Sequence, residues 1–297
     1  MDIVTRNDWD GVVSTLLLTE ALTIDKIKFT HPREIKNGEF KVSSNDILVN
    51  LPYVADCNSW FDHYMAGQDK VDGIAGVDGL YEEGYSCARI IYNHYQLKGW
   101  DEKYADLIDA TDKFNSAMLT LTDILRPSGW LKLATSVDPA TGFEPSYEYF
   151  NQLIEIIKNK DVQDVLQDDL VQSRMQQYYK DLKNFEKGVR TNSTVEGVVV
   201  VTDFRGVQEK LLGNKFLVYA LFPTSTVSIR IGYDTDRKFV ILSIGKSIIN
   251  RGCRVNIGKL LLEYQGGGLN NVGSCKVGSD LADEVIAELI FRLNQGC

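Results

Sequence analysis

Short apolar runs alternate with amphipathic stretches through the first half of this chain, and that alternation most limits what it can fold into. "DIVT" reads as a strand, "VVSTLLLTEAL" has helical apolar spacing, and "KIKFTHP" and "NDILVNLPY" read as further strands. The last is almost wholly apolar, as strands buried on both faces are. "YSCARIIYNHYQLKG" reads as an amphipathic helix closed by Gly99, and "DEKYADLIDATDKFNSAML" as another helix. This order predicts a parallel sheet covered by helices.

From Ser146 to about Lys187 the pattern is helical but too charged for a core helix, so a surface or connecting helix is expected. "GVRTNSTVEG" marks a boundary. Beyond it the chain turns β-rich in "VEGVVVVTDF", "KFLVYALFP", "TVSIRIGYD" and "KFVILSIGK". "YQGGGLNNVGSC" reads as a loop and "LADEVIAELIFRLNQ" as a closing helix. The expected fold class is α/β. A parallel-sheet domain with its connecting helix spans 1–187. A smaller α/β domain with a mixed sheet spans 191–297, and an active-site cleft lies between them.

Composition narrows the function. The 297 residues are 44% hydrophobic, enough for a core of normal size. The net charge of -9 argues against sequence-blind binding of long nucleic acid or acidic lipid, yet leaves a small anion open. The five cysteines at 57, 87, 253, 275 and 297 form no CxxC pair, so reduced thiols without zinc are expected. The start lacks signal-peptide character, and no apolar run approaches the roughly 20 residues of a membrane helix. A cytoplasmic protein with no membrane partner is expected.

Ligands of α/β sheets bind beyond the carboxyl ends of the strands. Asp8 and Asp10 follow the first strand, Asn50 ends "DILVN", and Asp62 and His63 follow "NSWF". Asp112, or else Asp109, sits in "LIDATDKFNSA". Carboxylates with one imidazole suit Mn²⁺ or Mg²⁺ better than zinc. Each piece alone has a plainer reading. Asp-x-Asp-Gly is common in turns. An EF-hand does not fit, because the twelfth position from Asp8 is Thr19. His63 also suits a structural role, and His31 and His94 carry no assigned function. Gly266, Gly267 and Gly268 permit close approach to an anion or simply form a flexible loop.

Together, "RNDWDG", "ILVNLPY…WFDHY", "DATDKF" and "YQGGGLNNVGSC" occur in one order across nearly the whole chain. This resembles the DHH phosphoesterase superfamily, most closely its exopolyphosphatase-like branch. The resemblance implies an α/β domain binding Mn²⁺ or Mg²⁺ and a smaller domain whose glycine loop holds the substrate. It implies that Asp8, Asp10, His63 and Asp112 ligate metal. It also implies that Gly266, Gly267 and Gly268 contact substrate, with Arg251 nearby. Asp62 would orient His63 from behind.

Four positions depart from the family pattern. Arg6 stands for a histidine, Asn50 for a bridging aspartate, Tyr64 for the second histidine of the triplet, and Leu269 for the histidine after the glycines. Arg6 cannot ligate metal. It is expected to occupy the space of one ion and to direct its charge at Asp8 or a phosphate, leaving one tightly bound ion rather than two. Tyr64 and Asn50 are expected beside the substrate. The function expected is metal-dependent hydrolysis of a phosphoester or phosphoanhydride in polyphosphate, a pyrophosphate-like compound or a short nucleotide. The alternative is an inactive or slow relative that binds phosphate or nucleotide. A homodimer is left open as a partner state.

Overall fold

The computed structural model describes residues 1–64, 78–139, 146–209 and 211–297. Two compact units emerge, one of Met1–Met118 with Pro127–Tyr178, the other of Leu119–Arg126 with Tyr179–Cys297. In chain order the elements of the first stretch are β1 (Asp2–Arg6), α1 (Trp9–Ala21), β2 (Lys26–Thr30), α2 (Pro32–Lys36), β3 (Asp46–Val49), β4 (Ser59–Tyr64), β5 (Asp78–Glu83), α3 (Cys87–Tyr95) and α4 (Trp100–Asn115). Then come α5 (Leu121–Leu125), α6 (Gly129–Ala134), α7 (Tyr147–Asn159), α8 (Val162–Gln167) and α9 (Asp169–Thr191). The remainder holds β6 (Ser193–Glu196), β7 (Val199–Asp203), α10 (Leu217–Leu221), β8 (Val227–Tyr233), β9 (Phe239–Lys246), α11 (Ile257–Leu262), β10 (Gly267–Gly268), β11 (Val272–Gly278) and α12 (Ala282–Gly296).

In the first unit the described strands form a parallel sheet in the order β2-β1-β3-β4-β5. β1 and β3 are almost wholly buried, because helices cover them. Val12, Val13, Leu16 and Leu17 of α1 are fully buried. The second unit has the order β10-β11-β9-β8-β7-β6, with β7 and β8 parallel and the other pairs antiparallel. Its core packs Val227, Ile229, Val240, Leu242 and Ile244 against Leu289 and Leu293 of α12. Among the described residues no helix is long and apolar enough to cross a membrane.

Several expected elements change. The helix expected over 146–187 is three helices, α7, α8 and α9. Lys160 is extended at the end of α7, and Asp161 then caps α8 through the amides of Gln163 and Asp164. "KFLVYALFP", expected as strand, contains helix α10. Short apolar runs do not distinguish the two periods. The helix expected to close at Gly99 ends instead at Gln96, whose φ of 43° is left-handed, while Gly99 precedes α4. Strand β5 carries two glutamates and has no buried residue, so nothing marked it. The expectation of reduced thiols is corrected for one pair, since Cys253 and Cys297 form a disulfide. The end of α12 brings Gly296 to the amide of Arg254, and 44 residues of separation hide that in the sequence.

Candidate active site at the carboxyl edge of the parallel sheet

The doubled aspartates have a local explanation first. Asp8 is the N-cap of α1, accepting the Gly11 amide at 2.9 Å. Asp10, in the first turn of α1, is 1% exposed and reaches across to a second helix. Its Oδ2 accepts from Cys87 N and its Oδ1 from Ala88 N, both at 2.9 Å, at the start of α3. Each carboxylate thus faces the positive end of a helix dipole.

Asp8 has further partners. Arg6 Nε lies 2.9 Å from its Oδ2, and the Asn50 amide donates to its Oδ1 at 3.2 Å. Asn50 leaves β3 with a φ of 55°, a left-handed conformation that Asn tolerates better than most residues. The expected pairing of Arg6 with Asp8 is therefore present, while 45% of the arginine side chain stays exposed.

His63 lies at the carboxyl end of β4, with Nε2 3.7 Å from Asp10 Oδ2. Its Nδ1 is 3.0 Å from the Gly84 carbonyl. A carbonyl only accepts, so Nδ1 donates to Gly84, and Nε2 is the ring nitrogen left facing Asp10 and Asn115. Asp62 was expected to orient this ring. Instead its Oδ1 accepts the backbone amide of His63 at 2.8 Å, and Gly84 holds the imidazole. Adjacent strand residues point to opposite faces, so Asp62 cannot easily follow its neighbour's side chain.

Burial drives the Asp10 carboxyl up to about 6, with His63 opposing and Asp8 reinforcing. Burial also drives Asp62 up to about 7, against the pull of the His63 amide and ring. In the folded protein these groups keep protons that the unfolded chain releases above about pH 4. Their contribution to stability is complete below that pH and is lost as pH rises through the folded values. Urea midpoints of metal-free protein are expected to fall between about pH 5 and 7.5, and Asp62→Asn is expected to flatten the fall. The same slope in that variant would contradict the assignment.

The four expected ligands are not gathered into one set. Asp112 Oδ1 accepts from Ser86 Oγ at 2.6 Å and Oδ2 from Arg89 Nε at 2.7 Å. Asp109, the other option, pairs with the same arginine. Among the described residues no group of three or more His, Cys, Asp or Glu side chains is placed to hold a metal. The acceptors that do converge are Asp10 Oδ2, His63 Nε2 and the Tyr85 carbonyl, all around the Asn115 amide. Two side chains and a carbonyl suit an oxygen-preferring divalent ion that keeps several waters.

Asn115, Arg89 and the amides of Cys87 and Ala88 escaped the sequence reading. Asn115 follows Asp112 by three residues and so shares its helix face, which was the available signal. The expected substrate glycines lie in the second unit. Gly266 N donates to Leu261 O at 2.9 Å, and Leu269 N to Val272 O at 2.7 Å. A Cβ on Gly266 would sit 2.5 Å from Ser274 O, so close packing explains that glycine, whereas Gly267 has open space around it. Arg251 is exposed, and its Nε donates to Ile248 O at 3.1 Å. The Tyr64 side chain lies outside the described residues.

The fold matches solved structures. A pGpG-specific phosphodiesterase, PggH from Vibrio cholerae, is 31% identical with a TM-score of 0.85, covering 100% of this chain and 99% of that one. An exopolyphosphatase-related protein from Bacteroides fragilis gives a TM-score of 0.53 at 12% identity, covering 99% of this chain and 92% of that one. RecJ from Thermus thermophilus in complex with Mn²⁺ gives 0.56 at 12% identity, covering 99% of this chain and 52% of that one. No protein-family model matches, and no curated protein does. The architecture is that of a two-unit α/β phosphoesterase. The chain belongs to the DHH phosphoesterase family.

Proposed function

We propose that the protein hydrolyses a phosphodiester bond in a short nucleotide, using a divalent ion held by Asp10 and His63. The observation that carries this reading is the buried Asp10 carboxylate facing the His63 imidazole across 3.7 Å at the carboxyl edge of the sheet. Identity of 31% with a pGpG-specific phosphodiesterase favours a short nucleotide over polyphosphate. One ion is proposed rather than two, because Arg6 neutralises Asp8 and Arg89 neutralises Asp112.

Bound Mn²⁺ or Mg²⁺ would neutralise phosphate charge and acidify a water. The chain's own groups do the rest. Gly84 fixes the ring of His63 so that Nε2 faces the centre. The exposed part of the Arg6 guanidinium takes a phosphate oxygen and stabilises charge that develops there.

A second reading, binding of a phosphorylated ligand without cleavage, draws on the saturation of Asp8 by Arg6, Asn50 and the Gly11 amide. Turnover assays with Mn²⁺ on pGpG, polyphosphate and bis(p-nitrophenyl) phosphate separate the two. Cleavage of pGpG is expected. No turnover of any of them, with a thermal shift by the nucleotide, would select the second reading.

A further inference from the structure

The Asn115 amide stands at the meeting point of three acceptors. Its Nδ2 lies 2.8 Å from Tyr85 O, 3.2 Å from His63 Nε2 and 3.3 Å from Asp10 Oδ2. The opposite amide orientation would put Oδ1 against a carboxylate and a carbonyl, so the network fixes which atom faces inward. A carboxamide carries two N–H donors, and three electron-rich atoms share them. One acceptor is always under-served, and a full positive charge at this point would serve all three. Asn115 is exposed, whereas Asp10 is buried, so the amide closes the solvent side of the carboxylate.

We propose that the Asn115 carboxamide holds the place of the divalent ion, so that an incoming ion must displace it and Asn115 sets the affinity of the centre. This inference rests on the reading that Asp10 and His63 take such an ion. It concerns the resting state of the centre and assigns Asn115 the role of a competitor rather than a ligand.

The test is calorimetric titration of the full chain with Mn²⁺ alone, comparing wild type with Asn115→Ala. Removal of the competing donor is expected to tighten binding roughly tenfold or more, the scale of hydrogen bonds to a charged acceptor that the ion no longer has to break. Weaker binding in the variant would make Asn115 a ligand through Oδ1 and overturn the proposal, as would unchanged affinity or binding by neither protein. Asn115→Ser, too short to reach the three acceptors, repeats the test should the alanine variant fold poorly. Turnover of pGpG is measured separately. A wild type that binds Mn²⁺ but cleaves nothing removes the hydrolase reading and leaves the Asn115 comparison to be decided by the titration.

Discussion

Gly11→Ala is expected to lower stability by about 4 kcal/mol or more and to abolish turnover. A Cβ at this position would lie 2.0 Å from the Arg6 carbonyl oxygen and 2.9 Å from Thr5 Oγ1. The obstacle is backbone, and β1 cannot retreat, because Arg6 is in register with Thr30 of β2. Helix α1 would have to lift from the strand, carrying Asp8 and Asp10 with it. Gly267→Ala is the control, since nothing lies within 4 Å of its added Cβ. Urea denaturation of both variants decides the matter. A Gly11 variant within about 1 kcal/mol of wild type would refute the close approach.

Asp10→Ala and Asp10→Asn are expected to part company. Asp10 accepts from Cys87 N and Ala88 N at 2.9 Å, and from Ser14 Oγ and Asn115 Nδ2 at 3.3 Å. Alanine leaves two backbone donors of α3 without their partner, at about 1–3 kcal/mol for each buried donor. Relief of the buried carboxylate offsets part of that cost, so a net loss of roughly 2–4 kcal/mol is expected. Asparagine keeps an acceptor for one of those amides but loses the charge. It is expected to cost less stability than alanine yet reduce turnover about a hundredfold or more. Denaturation midpoints and pGpG turnover are measured on both. An alanine variant as stable as wild type would refute the capping role of Asp10, and an active asparagine variant would refute its place at the centre.

Much of the first unit was legible because its signals are local. The strand "DIVT", the helix after it and the position of Asp8 and Asp10 at their junction follow from apolar period and a capping side chain within a few residues. His63 was legible in the same way, as a polar residue at the end of an apolar strand. What the sequence left undecided was the choice of partner. Asp112 and Asp10 are both aspartates within helices, and nothing near either in the chain says which meets a cation. Arg89, 23 residues from Asp112, takes that carboxylate. Cys87 and Ala88, more than 75 residues from Asp10, take the other. Asn115 was overlooked because an amide carries no charge, and only convergence of three acceptors gives it significance.

The first strand, the helix after it and the buried strand β3, with acids and an imidazole gathered at strand ends, were set by the sequence itself, since period and capping act over a turn or two. Which carboxylate is neutralised, which helix end faces Asp10 and which atom sits between Asp10 and His63 were decided only by tertiary structure. Those contacts join residues far apart in the chain, and their energies depend on burial that exists only once the helices have packed on the sheet.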